Sequence, residues 1–221
     1  GLSDVVNQWR RANLSILWRG MKRLTLAHAL KLPYHAGQLY LTVTRPMWQP
    51  GQEPQEYLER WLSSKSHLAF PVWLKELGIK VQTIDYGLAS CRLVTTAGVN
   101  FLVDALQGTV EPEILRYHAL GTGTTAENAA DTTLVTELTT EYTGNVRATG
   151  TLTEGASANI FRTVGVNTLD SGTPAVTEHG VFSASAAGTL LDRSVFSAIN
   201  LVGANGDGIS STYELTLATG S

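Results

Sequence analysis

Two hydrophobic periods divide the chain. From Leu2 to about Leu30, the residues Val5, Val6, Trp9, Leu14, Leu17, Trp18, Met21 and Leu24 recur at three- and four-residue steps. This is a helical pattern, broken near Asn13 or Gly20, with Arg10, Arg11, Arg19, Lys22 and Arg23 set between the apolar positions. Gly37–Pro46 then alternates Leu39, Leu41 and Val43 against Tyr40, Thr42 and Thr44, which predicts a short strand stopped by Pro46. Pro50 and Pro54 hold a turn or extended segment. "PQEYLERWLSS" reads as a helix with Pro54 in its first turn. "HLAFPVWLKELG" is a further helical piece, kinked or restarted at Pro71 and ended by Gly78.

Beyond about residue 80 the period shortens to two. "VQTIDYGLASCRLVTT" is extended with a break at Gly87. The clearest helix is "TTAGVNFLVDALQG": Thr95 or Thr96 caps it, Val99, Leu102, Val103 and Leu106 form a face, and Gly108 ends it. After it nearly everything reads as strand. Ile114, Arg116 and His118 oppose Leu115, Tyr117 and Ala119; "NVRATGTLTEGASANIFRTVGVNTL" alternates between glycine breaks; Ala175–Ala184 and Leu190–Leu201 form a hairpin around "SAAGT". The last segment sets Tyr213, Leu215 and Leu217 inward against Thr212, Glu214 and Thr216. Strands at about ten-residue intervals without intervening helices predict a mainly β fold. The expectation is an antiparallel β-sandwich or barrel with one packed helix (about 96–107), preceded by a mixed helical/extended N-terminal arm.

Charge sharpens this division. Residues 1–80 hold eleven Lys/Arg and five Asp/Glu, whereas residues 81–221 hold five and fourteen, within a net charge of -3. All five tryptophans (Trp9, Trp18, Trp48, Trp61, Trp73) lie in the first part. We therefore expect a basic, Trp-rich arm or subdomain over 1–80 and a β-domain over 81–221. The front part either packs on the β-domain or docks on other subunits, where Trp and Arg are enriched. On the second reading Trp9, Arg10, Arg11, Trp18, Arg19 and Arg23 are the partner-binding residues. A thirty-residue arm, even partly extended, reaches on the order of 60–100 Å. A basic amphipathic membrane helix is a minor alternative. The overall charge argues against nucleic acid as a partner, no apolar run is long enough to span a bilayer, and the single Cys91 rules out an internal disulfide.

Candidate chemistry is sparse. "GTGTTAENAADTT" (121–133) follows a strand like a phosphate cradle, but lacks both the Gly-Lys-Ser/Thr ending and the third glycine of the dinucleotide fingerprint. It is expected to be a turn, ordered by Asp131. His28, His35, His67, His118 and His179 show no metal-binding spacing, so neither metal nor cofactor is expected. Glu178 and His179 are strand neighbours and point to opposite faces, although one of them could meet His118 across the sheet. Ser157 lacks a nucleophile elbow. No acid–base pair of carboxylates follows from spacing, and the chain reads as a non-enzyme.

The segments "RYHALGTGTTAENAADTTLVTELTTEY", "TGTLTEGASANIFRTVG", "AVTEHGVFSASAAGTLLDRSVFSAINL" and "STYELTLATGS" occur in an order that resembles a widespread family of tailed-bacteriophage virion structural proteins. That family has a glycine-threonine turn, an "ITE-x-G-hF" strand, a glycine hairpin, an "L-x-R-x-VFS-x-IN" strand and a closing "TYxLTL"-like strand. The resemblance covers roughly residues 86–219. It implies a virion location and particle assembly. The leading expectation is a capsid decoration or cement protein, homo-oligomeric with a trimer as one arrangement, contacting the major capsid protein or other virion proteins. The alternative is a tail component: a tube, baseplate, fibre-base or receptor-binding protein.

Overall fold

The computed structural model describes residues 35–142 and 144–217. Its elements follow in chain order: β1 (His35–Pro46), α1 (Pro54–Ser63), α2 (Phe70–Glu76), β2 (Val81–Leu93), α3 (Thr96–Leu106), β3 (Tyr117–Gly121), β4 (Ala148–Thr149), β5 (Thr151–Glu154), β6 (Ile160–Thr168), β7 (Ala175–Phe182), β8 (Leu190–Asn200) and β9 (Gly208–Leu217). They build two antiparallel sheets. One has the order β2-β1-β9-β6-β5 and the other β4-β3-β7-β8. The expected β-sandwich is the fold.

Register explains which residues fill the space between the sheets. In the five-stranded sheet, Leu39 lies opposite Tyr213 and Tyr213 opposite Thr163, while the next inward row is Leu41, Ser211 and Gly165. A third row brings Val43, Ile209 and Asn167 together. The period-two pattern of Leu39, Leu41 and Val43 thus buries all three. They pack with Leu120, Leu169, Val176, Ile199 and Leu201 in the larger core cluster. The strand read at Gly37–Pro46 is an interior strand of the sandwich, hydrogen-bonded to β2 on one side and β9 on the other. The break expected at Gly87 is a register shift in the β1–β2 ladder, with Gly87 at φ +60°.

The segment between β1 and β2 is a helical hairpin with its own small core of Leu58, Phe70, Leu74 and Ile79, ringed by Trp48, Tyr57, Trp61 and Trp73. Both proline-opened helices form where expected, and Gly78 closes α2 at φ +79°. Three of the five tryptophans are therefore spent inside this chain. Trp48 Nε1 donates to the Asn205 carbonyl and Trp61 Nε1 to that of Leu68.

Two orientations differ from expectation. α3 has the Thr95 cap, whose hydroxyl accepts from the Gly98 N–H and donates to the Leu190 carbonyl. However, of the expected face only Leu102 packs on the core, half-buried beside the buried Gly98 and Phe101, whereas Val99, Val103 and Leu106 are exposed, Leu106 at 90%. The Thr95 N–H bonds the Leu191 carbonyl and lays Gly98 on the Leu191 backbone. That anchoring sets the helix rotation. An apolar arc this wide does not choose its own inward side. Leu217, expected inward, is 46% exposed at the end of β9.

Candidate functional site

Among the described residues between β3 and β4, 122–142 and 144–147, no named strand forms, and Glu137 makes an isolated bridge back to Gly121. An ordered loop of this length asks what holds it.

The holder is Glu178 on β7. Its side chain is fully buried on the outer face of the four-stranded sheet. Oε1 accepts from the N–H groups of Gly123 (2.9 Å) and Thr136 (2.7 Å), and Oε2 from the Val135 N–H (3.1 Å) and Arg193 Nε (2.8 Å). Arg193, on β8, donates onward from Nη1 to Asp131 Oδ2 (3.1 Å) and from Nη2 to the Thr125 carbonyl (3.0 Å). Asp131 also receives the Asn128 N–H, so it orders the turn as expected. The arginine's affinity for its proton is raised: burial works against the charge, and the bonds to Glu178 and then Asp131 outweigh it.

This arrangement resolves the glycine-threonine motif. A Cβ on Gly121 or Gly123 would lie 2.5 Å from Glu178 Oε1, so only glycine lets the backbone come this close. The sequence does build an anion cradle, and the anion is the chain's own carboxylate. All four of its contacts are taken and it is closed to solvent, so Glu178 has no capacity left to act on a substrate.

A second ion pair fastens the end of the same loop. Arg147, 6% exposed, meets Glu137 through Nε (2.7 Å) and Nη2 (2.9 Å) and donates from Nη1 to the carbonyls of Ala184 and Ala187 in the β7–β8 turn. Its guanidinium lies 3.6 Å from the centre of the Phe182 ring. Ala187, at φ +51°, turns its carbonyl into this site.

His179 points the other way, into the space between the sheets, as strand alternation requires. There its Nε2 lies 2.9 Å from His118 Nδ1, and His118 Nε2 lies 3.0 Å from Thr163 Oγ1. Both imidazoles are fully buried. Gly165 makes this possible: a Cβ there would sit 2.5 Å from His118 Cδ2. Burial pushes His118 down to about 3, and burial followed by the neighbouring His118 pushes His179 well below the usual histidine range. Two neutral rings share one proton between facing nitrogens, an internal hydrogen bond closed off from solvent. Nearby, Asp192 accepts the Ser194 hydroxyl (2.9 Å), and burial followed by the Asp192 charge raises the Tyr213 phenol.

Sequence reasoning raised both the His118–cross-sheet meeting and the Asp131 role. It missed Arg193 and Arg147. The available signal was a lone arginine inside an apolar strand, "LLDRSVF", beside a lone glutamate in its hairpin partner, "AVTEHGVF". Gly180 pairs with Arg193 and Glu178 with Val195, so the two charges are diagonal neighbours on one face. Ser157 bonds Asn159 in an exposed turn. Trp9, Arg10, Arg11, Trp18, Arg19 and Arg23 lie outside the described residues. Among the described residues no cluster of three His, Cys, Asp or Glu could hold a metal ion, and no helix is long and apolar enough to cross a membrane. No family model matches the chain, and no curated protein matches it.

Proposed function

We propose that this chain is a bacteriophage virion structural protein, and specifically a capsid decoration or cement protein that acts by covering surface on its neighbours. The observation that carries the reading is the outward apolar face of α3. Val99, Val103 and Leu106 are exposed on a helix whose opposite side is anchored to β8. Contiguous exposed apolar surface on a well-braced scaffold is the signature of a contact region. The ionisable clusters support it from the other direction, since Glu178, Arg193, His118 and His179 are used up in holding the loop and the core together. The basic leader would add a second contact through Trp9, Arg10, Arg11, Trp18, Arg19 and Arg23. In a symmetric shell a modest contact is repeated many times, so no single strong site is needed.

Deleting residues 1–30 tests this directly. The truncated protein is expected to keep its β signature by circular dichroism and to lose binding to particles. Full occupancy on shells without those residues overturns the role of the leader. A tail component is the second reading, favoured by an open groove beside α1 that could face a receptor. Copy number per particle separates the two: a shell protein is abundant, a fibre-base protein scarce.

A further inference from the structure

The outer face of α3 combines an apolar stripe with an acidic surround. Val99, Val103 and Leu106 stand at i, i+4 and i+7, one above another along the helix, and all three are exposed. Asp104 lies on the same helix, and Glu111 and Glu113 lie at the Pro112–Ile114 turn that packs against it. All three carboxylates are exposed, and none has an ion-pair partner among the described residues. From Val94 to Leu115 the chain has no Lys or Arg.

A segment that fits this face belongs to the same chain. Residues 5–24 hold Arg10, Arg11, Arg19, Lys22 and Arg23 and no Asp or Glu, and their apolar positions recur at three- and four-residue steps. Basic charge set between apolar positions complements an apolar stripe set among carboxylates. The point where the leader joins the described fold agrees. It enters β1 at His35, and Ala36 pairs with Leu93, three residues before α3 begins. Residues 25–34 reach up to about 33 Å when extended, whereas α3 is about 16 Å long. The whole stripe is therefore within reach of the leader of its own copy. A tether this short gives an effective concentration on the order of millimolar, which favours the same copy over a second one.

We propose that residues 5–24 cover the outer face of α3 of the same copy in the free chain. Their apolar side lies on Val99, Val103 and Leu106, and their basic residues face Asp104, Glu111 and Glu113. The two surfaces assigned above to contacts with neighbours then mask each other until a particle surface competes for both. This goes beyond the virion reading and concerns the isolated chain.

The test uses the full chain with p-benzoylphenylalanine in place of Leu106, whose exposure leaves room for the probe. On irradiation in dilute, low-salt solution the chain is expected to crosslink within itself. The product keeps the monomer mass on denaturing gels, and peptide mapping joins position 106 to residues 5–24. Asp104→Lys, Glu111→Lys and Glu113→Lys together should lower that yield fivefold or more with an unchanged circular dichroism spectrum. The same probe at the exposed Val72, on the hairpin that follows the Pro46 end of β1, should give no crosslink to residues 5–24. The proposal is overturned if position 106 crosslinks elsewhere or not at all, if the product has twice the monomer mass, or if the charge reversals leave the yield unchanged. No particle is present in this assay, so its failure leaves the 1–30 deletion and copy-number tests of the virion reading untouched.

Discussion

Glu178 and Arg193 meet at 2.8 Å across neighbouring strands, their side chains 0% and 1% exposed, and between them they bind four segments of the loop that follows β3. Removing one partner from such a pair leaves the other charge buried and uncompensated. Glu178→Ala is therefore expected to destabilise the fold by about 3–5 kcal/mol, measured by urea unfolding. The double variant Glu178→Leu with Arg193→Leu should cost less than the sum of the single changes, because it removes both charges. Strict additivity in that cycle would show that the two side chains act separately.

Arg147 gives an independent prediction at the other end of the loop. Arg147→Met keeps the apolar stem but removes the guanidinium that lies on Phe182, together with its bonds to Glu137, Ala184 and Ala187. Hydrogen exchange should accelerate at residues 134–138 and 184–188 together, with a stability loss of about 2–4 kcal/mol. Faster exchange at only one of these segments would contradict a shared fastening.

The imidazole pair makes stability depend on pH. Both histidines have folded-state affinities for protons below the ordinary value near 6.5, so below that pH the unfolded chain binds more protons than the folded one. Stability is then lost as pH falls from about 6.5 towards 3. The slope is up to about 1.4 kcal/mol per pH unit for each ring. Urea unfolding from pH 7 to pH 4.5 should show a shallower slope in a His118→Leu, His179→Leu variant. Equal slopes would mean that the rings are not the buried neutral groups described.

The outward face of α3 separates folding from assembly. Val103→Glu and Leu106→Glu change residues that are 47% and 90% exposed, so unfolding free energy should move by no more than about 0.5 kcal/mol. Incorporation into particles should fall sharply. Normal incorporation of both variants would remove this face from the contact region.

Gly165 can be tested by a single methyl group. Gly165→Ala places a carbon against the His118 ring from an interior row of the five-stranded sheet, and overpacking of this kind costs about 1–3 kcal/mol. Thermal unfolding of the purified variant reads the effect, and an unchanged midpoint would argue that the ring has room to move.

By itself, the sequence determined what short-range physics controls. Alternation in Leu39–Val43 and in Tyr213–Leu215 marks strands, Thr95 and Gly108 bound a helix, Gly87 breaks a ladder, and the absence of helices between the later strands leads to a sandwich. Tertiary structure decided everything that depends on a partner far along the chain. Which side of α3 is buried was set by its anchoring to the Leu191 backbone, not by its own apolar arc. Whether a glycine-threonine turn cradles a foreign anion or an internal one was set by Glu178, a residue more than fifty positions away. An arginine in a largely apolar strand carries no label for its counter-charge, and only the hairpin register that brings Glu178 beside Arg193 supplies one.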